Sequence, residues 1–326
     1  MRQLLVLGVV GFLAQLVDGS LGMGYGVTSS SLLLATGLTP ALASASVHFA
    51  ELGTNAASGI SHWRLGNVDR RLVWRLGVPG AVGAFLGATL LSHLSTAAAA
   101  PIMAGILAAL GVYILVRFAW RPPPVSHART SPHRRRFLVP LGFLGGFVDA
   151  TGGGGWGPVS TTTLLSAGRT APRTVIGSVD TSELLVTVSA SVAFVLGLGA
   201  SGIHLGYVGV LLAGGLLAAP VAAWLVSRLP ARVLGVAVGA IIVLTNAPTL
   251  LRSVDAVRIP PQLSYAAILL VWAILLAVLV RRYLVPGPAE GDESAVEPLP
   301  GPHPAALQGL DDGLADAATR GAEQRL

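Results

Sequence analysis

The chain has 326 residues, 53% of them hydrophobic and 11% charged, against roughly 25% charged in soluble domains, and its mean hydropathy is +0.72. That balance excludes an ordinary soluble domain and makes the chain an integral membrane protein, while the lack of cysteine excludes disulfides, thiol nucleophiles and thiolate metal sites. Charge is uneven: residues 1–285 hold 19 arginines against 7 acids, net +12, and residues 286–326 hold 2 against 8, net −6.

In chain order, the first feature is the glycine-rich segment GFLAQLVDGSLGMGYGVTSSSLLLATG, Gly11 to Gly37. Apolar spans follow at 42–61, 72–91 and 97–117, each near the ~20 residues that cross a ~30 Å hydrocarbon core as a helix. Then comes a basic, proline-rich linker, RPPPVSHARTSPHRRR, and a second glycine-rich segment, GFLGGFVDATGGGGWGPVSTTTLLSAG, Gly142 to Gly168. Further spans are expected at 173–198, 205–226, 232–251 and 263–280. The remainder is rich in proline, glycine and acids and is expected to be a disordered acidic tail over 286–326.

The two glycine-rich segments align without a gap. Asp18 meets Asp149; Gly22, Gly24 and Gly26 meet Gly153, Gly155 and Gly157; Tyr25 meets Trp156. One inserted residue then pairs Pro40 with Pro172, Ser46 with Ser178, His48 with Asp180 and Glu51 with Glu183. The chain therefore reads as a duplication: a first transmembrane repeat over 1–118, a basic cytoplasmic linker over 119–136, a second repeat over 137–252 and a final transmembrane helix over 253–285. Because its counterpart lies mid-chain, the N-terminal apolar segment is expected to be a membrane element rather than a cleaved signal peptide.

Arginine placement sets the expected orientation. The connections at Arg64–Arg75 and Arg117–Arg136 both belong to the cytoplasm, and the uncharged 199–204 connection belongs outside. These assignments agree only if 137–168 enters and leaves on one side. Each glycine-rich segment is thus predicted to be a re-entrant hairpin with arms of about 10 to 15 residues, too short to cross. Three crossings per copy then invert the second repeat relative to the first, with the N-terminus outside and the C-terminus cytoplasmic. The fold expected is an all-α polytopic membrane protein of two inverted repeats and one additional C-terminal helix. Arginine-only basic charge beside abundant Ala, Gly and Leu suggests GC-rich coding and a bacterial origin. The high pI reflects topology-setting arginines, so no nucleic-acid partner is expected.

Hairpins entering from opposite faces bring their tips together near the midplane, where broken backbone survives only in a protein-lined or polar cavity. Glycine lets amides approach a ligand, and the outgoing helices begin with hydroxyl residues. Their N-termini aim unpaired amides and partial positive charge at one point, which favours a small oxyanion. Substrate-binding candidates are Asp18, Gly22, Gly24, Gly26, Thr28, Ser29 and Ser30 in the first copy. In the second they are Asp149, Gly153, Gly154, Gly155, Gly157, Ser160, Thr161 and Thr162. Tyr25 and Trp156 either gate the tips or merely pack them, Asp18 and Asp149 either touch substrate or cap tip amides, and the hydroxyls either face the ligand or bond back to their own helix.

The aspartate and glycine cluster, the following proline-containing turn, the GNVD stretch at Gly66–Asp69 and the duplicated arrangement resemble the TauE/SafE sulfite-exporter family, also called toluene sulfonate uptake permeases. The resemblance covers residues 5–280. It implies transport of sulfite, sulfonates or related small organosulfur anions across a bacterial inner membrane. The first copy departs from the usual glycine run, reading DGSLGMGYG.

Five acids lie in the apolar segments: Asp18, Glu51, Asp149, Asp180 and Glu183. Carboxylates at membrane depth face the interior, pair, or take up protons. Ser44, His48, Glu51, Asn55, Ser58 and His62 recur at helical spacing as one polar stripe, and Asp180, Glu183 and Thr187 form a shorter one. His48, Glu51, Asp180 and Glu183 are the proton-coupling candidates. His48 and Glu51 alone make half a metal site, and no metal or other cofactor is expected. No basic residue lies inside the hairpins, which favours monoanions.

The function expected is therefore proton-linked export or uptake of sulfite or a small organosulfonate, with the bilayer as surroundings and no enzymatic step. Rival readings are a carrier of a cation or divalent metal, a carrier of another small organic anion, and a membrane sensor or scaffold.

Overall fold

The computed structural model describes residues 2–120 except 22, then 128–199, 205–226 and 231–253, with 203, 270, 273 and 277 as isolated positions. Gly22, the expected span at 263–280 and the tail at 286–326 lie outside the described residues. Among those described, every element is helical. The first half holds α1 (Arg2–Leu21), α2 (Tyr25–Ala35), α3 (Pro40–Arg64), α4 (Arg70–His93) and α5 (Thr96–Trp120). The second holds α6 (Arg135–Gly152), a π-helical turn (Gly157–Thr161), α7 (Thr162–Ala167), α8 (Pro172–Leu198), α9 (Leu205–Val226) and α10 (Ala231–Ser253).

Local chemistry explains where these helices begin. Proline opens both α3 and α8, at Pro40 and Pro172, where its missing N–H leaves no helical bond unmade. Asp69 caps α4 by accepting the amides of Arg71 (2.9 Å) and Leu72 (3.4 Å) with one oxygen. Its other oxygen accepts the Ser131 amide at 2.8 Å, which ties the end of the basic linker to α4.

The two glycine-rich segments break at corresponding places. Between α1 and α2, Gly24 has φ +110°; between α6 and the π turn, Gly153 and Gly154 have φ +68° and +147°. In each break the aspartate accepts the amide seven residues on: Asp18 from Tyr25 at 3.3 Å and Asp149 from Trp156 at 2.9 Å. The second arms are short as expected, since α2 has 11 residues and the π turn and α7 have 5 and 6. The first arms are longer than the expected 10 to 15, at 20 residues for α1 and 18 for α6. Both helices run back past Gly11 and Gly142, α6 even through Pro140.

Packing crosses between halves. α1 lies on α9, α6 on α4, α3 on α8 and α5 on α10. Aligned glycines make two of these approaches. A methyl group on Gly11 would overlap the Leu211 carbonyl, and one on Gly142 would overlap the Leu76 carbonyl, so each first arm touches the backbone of a helix from the other half.

Buried apolar side chains form two clusters, one including Leu7, Leu33, Met103, Leu107 and Leu211, the other Leu72, Leu76, Leu138, Trp156 and Phe194. The outer faces are apolar too: Phe85, Leu86, Val112, Leu196 and Leu217 are exposed. Polar side chains such as Ser44, His48, Glu51 and Asn55 are buried instead. That arrangement reverses the soluble pattern and suits surroundings of hydrocarbon. Among the described residues, α4, α8 and Thr96–Phe118 of α5 are long and apolar enough to cross a membrane by length and composition. α3 has 25 residues, but its polar stripe lowers its hydropathy.

Candidate functional site

The two tips touch through backbone. A methyl on Gly26 would come within 2.7 Å of the Gly154 Cα, and one on Gly154 would run into the Val27 amide nitrogen and the Gly26 carbonyl carbon. The Ser30 hydroxyl donates to the Gly153 carbonyl across the junction. Gly26 and Gly154, far apart in the chain, are thus held at a distance that a side chain on either would break.

Beside this junction is a small cavity of about 30 Å³. All five acids picked out from the sequence line it: Asp18 and Asp149 from the tips, Glu51 from α3, and Asp180 and Glu183 from α8. Gly24, Gly26, Gly155, Gly157 and Thr161 complete the tip side, together with Tyr25. No arginine is among its lining residues.

The other candidates stand one layer back. Ser29 and Ser31 donate to the carbonyls of Tyr25 (2.6 Å) and Val27 (2.7 Å), and Thr162 donates to Pro158, so these hydroxyls serve their own helices. Thr28 and Ser160 are buried with hydroxyls that have no hydrogen-bond partner. Gly153 and Gly154 form the tip contact. Trp156 is fully buried and donates from its indole nitrogen to the Val179 carbonyl at 3.0 Å. Tyr25 points its hydroxyl toward the Leu211 carbonyl at 3.5 Å.

His48 lies behind Asp149, and its bonds fix its protons. Nδ1 is 2.8 Å from the Ser44 carbonyl, which only accepts, so Nδ1 carries hydrogen. Nε2 faces the Asp149 Oδ2 at 3.1 Å. A neutral imidazole with its hydrogen on Nδ1 and an ionised carboxylate would oppose two acceptors. A proton must therefore sit between Nε2 and Oδ2, on one group or the other. Both side chains are almost wholly buried.

The two polar stripes face each other. Asn55 donates to the Thr187 hydroxyl at 3.1 Å, joining α3 to α8, and Ser58 hydrogen-bonds Asp180. One oxygen each of Glu51 and Asp180 is buried with no partner, which leaves unused acceptors at the cavity. Among the described residues no three His, Asp or Glu side chains are grouped to hold a metal ion.

Sequence reasoning did not assign Met23, Thr54, Ile176 and Val179 to the site, although all line the cavity; apolar and lone hydroxyl residues on a membrane helix carry no distinguishing signal. Asn246 was also missed. It donates to the Ser31 hydroxyl at 2.8 Å, and its signal was present: a single amide in an otherwise apolar helix.

Residues 7–248 match the family described as "Sulfite exporter TauE/SafE". A relative, "Probable membrane transporter protein YtnM" of Bacillus subtilis (strain 168), is 50% identical over 272 residues, covering 83% of this chain and 91% of that protein. No solved structure matches the chain significantly.

Proposed function

The chain belongs to the TauE/SafE sulfite exporter family of membrane transporters, and on that premise we propose that it carries sulfite or a small organosulfonate across the bacterial cell membrane, linked to protons. The observation that carries this reading is the convergence of two glycine tips and five acids on one cavity. The tips supply amides, and the acids, with His48 behind them, supply proton sites.

Alternating exposure is the mechanism we infer. The matched Asp18–Tyr25 and Asp149–Trp156 bonds, the paired glycine approaches at Gly11 and Gly142, and the exchange of α1 on α9 for α6 on α4 support two related halves. Such halves rocking about shared tips open the site to one side at a time. In this reading 1–118 and 137–252 are the repeats, inverted with respect to each other, with 119–136, 253–285 and 286–326 as linker, last span and tail, and the C-terminus cytoplasmic. Asp18, Asp149, Gly24, Gly26, Gly155, Gly157 and Thr161, which line the cavity, form the substrate shell, with the buried, unpartnered hydroxyls of Thr28 and Ser160 behind them; His48, Glu51, Asp180 and Glu183 hold protons; Tyr25 and Trp156 close the tips.

The test is flux in proteoliposomes loaded across a panel of sulfite, thiosulfate, sulfonates, carboxylates and divalent metals. Sulfite or a sulfonate should move with a pH dependence that Asp149→Asn and Glu183→Gln weaken. Absence of flux for every anion, with folding intact, refutes the proposal. The unpaired oxygens of Glu51 and Asp180 favour one rival, a cation carrier. In that case Glu51→Gln abolishes transport rather than uncoupling it.

A further inference from the structure

A second cleft, of about 610 Å³, opens where the basic linker meets α6, lined by Pro132, His133, Arg134, Arg136, Phe137 and Arg169. It lies apart from the tip cavity and shares none of its residues. The wall is held in place: Ala171 donates its amide to the Ala128 carbonyl at 2.7 Å, and Asp69 holds Ser131. The three arginine side chains are exposed, and among the described residues no carboxylate pairs with them.

His133 points to a ligand. Only 8% of it is exposed, yet its Nε2 has no hydrogen-bond partner. Its ring stacks on Phe137 with centroids 5.1 Å apart, so a buried nitrogen is fixed at a cleft whose other polar groups are all cationic. Burial and the neighbouring Arg169 hold the imidazole below its usual pKa, as expected where positive charge has no counter-ion. α6 also starts here without a side-chain cap, adding the positive end of an 18-residue helix.

The occupant's apolar part is indicated by what adjoins the cleft. Phe137 and Leu144, two turns apart on one face of α6, are 39% and 56% exposed. A cationic pocket at a helix start, continuing into an exposed apolar stripe, matches a phosphate headgroup followed by an acyl chain. We propose that this cleft binds the phosphate headgroup of an anionic phospholipid, with its tail along α6. This goes beyond the transport reading and stands without it.

The full-length protein in detergent, titrated with phosphatidylglycerol and phosphatidylcholine and read by native mass spectrometry, tests the assignment. Phosphatidylglycerol should bind at least about tenfold more tightly than phosphatidylcholine. R136Q/R169Q should weaken it about 25-fold, at roughly fivefold per arginine, while R136K/R169K retains most of it and R71Q, which is not part of the cleft, changes nothing. His133→Gln, which keeps every arginine, should weaken it severalfold and serves if the double variant does not fold. Equal binding of the two lipids, undiminished phosphatidylglycerol binding in a folded R136Q/R169Q, or displacement of the lipid by equimolar inorganic phosphate overturns the proposal.

Discussion

Gly154→Ala is the sharpest perturbation of the tip junction. Its φ of +147° lies where residues bearing a Cβ are strained, at a cost on the order of 1–3 kcal/mol. The new methyl also meets the Val27 nitrogen and Gly26 carbonyl carbon, rigid backbone that cannot swing aside, and over-packing adds about 1–3 kcal/mol. Gly37→Ala isolates the first contribution: φ is +91° but nothing lies within 4 Å of the added methyl, so the loss should be about 1–2 kcal/mol. The difference places the melting midpoint of Gly154→Ala several degrees below that of Gly37→Ala, at roughly 2–4 °C per kcal/mol. Tryptophan-fluorescence melting in detergent, paired with sulfite flux in proteoliposomes, reads both. Flux should vanish in Gly154→Ala below its melting midpoint and persist in Gly37→Ala. Equal midpoints and equal flux in the two variants would show that the tips do not touch as described.

Asp149→Asn and His48→Ala separate proton handling from folding. Asparagine still accepts the Trp156 amide and donates to His48 Nε2, so the midpoint should change little, whereas His48→Ala leaves the buried Asp149 Oδ2 without a partner, at a cost of about 3 kcal/mol, seen as a lower midpoint. Glu51→Gln should leave sulfite flux at low pH near wild type and flatten its decline toward pH 8, measured with an imposed pH gradient. His133, held below its ordinary value of 6.5 by burial and by Arg169, should titrate below that value by NMR in neutral lipid. The unfolded chain then takes the proton first as pH falls through 6.5, so stability drops on the acid side, and His133→Gln should remove that drop.

Duplicated chemistry made the tips legible. Asp18 and Asp149 stand at corresponding positions, and each accepts the amide seven residues on, one of the two roles that the sequence left open. The five acids were also legible, since a carboxylate in an apolar helix has few reasons to be there. The α3 stripe fell on one face by helical arithmetic, and that face is buried. What spacing did not reveal was which hydroxyls turn inward: Ser29 and Ser31 satisfy their own helix, while Thr161 faces the cavity, a choice made by rotamer and by the π turn that rotates the helix start. The extent of α1 and α6 was equally hidden, because the glycines mark where a helix stops, not where it starts. The contact of Gly26 with Gly154 depends on tertiary placement that neither segment encodes by itself.

Charge at the cavity constrains the transport cycle. With all five carboxyls ionised and His48 protonated, the site and its immediate neighbour carry −4. Each additional negative charge at about 4 Å is opposed by roughly 4 kcal/mol per ionised neighbour at an effective dielectric constant near 20. Two helix N-termini offer about half a positive charge each, too little to offset four. On the proposed function an anion would therefore enter only with protons, each carboxyl neutralised lowering the barrier by about a thousandfold in binding. A site that needs several protons to accept one anion should show initial rates that climb steeply as pH falls, with a slope above one in log rate against pH. Measured sulfite or sulfonate uptake that stays level between pH 5 and 8 would mean that these carboxyls do not share a cavity with the anion, and the assignment of Glu51 and Glu183 to proton coupling would fail with it.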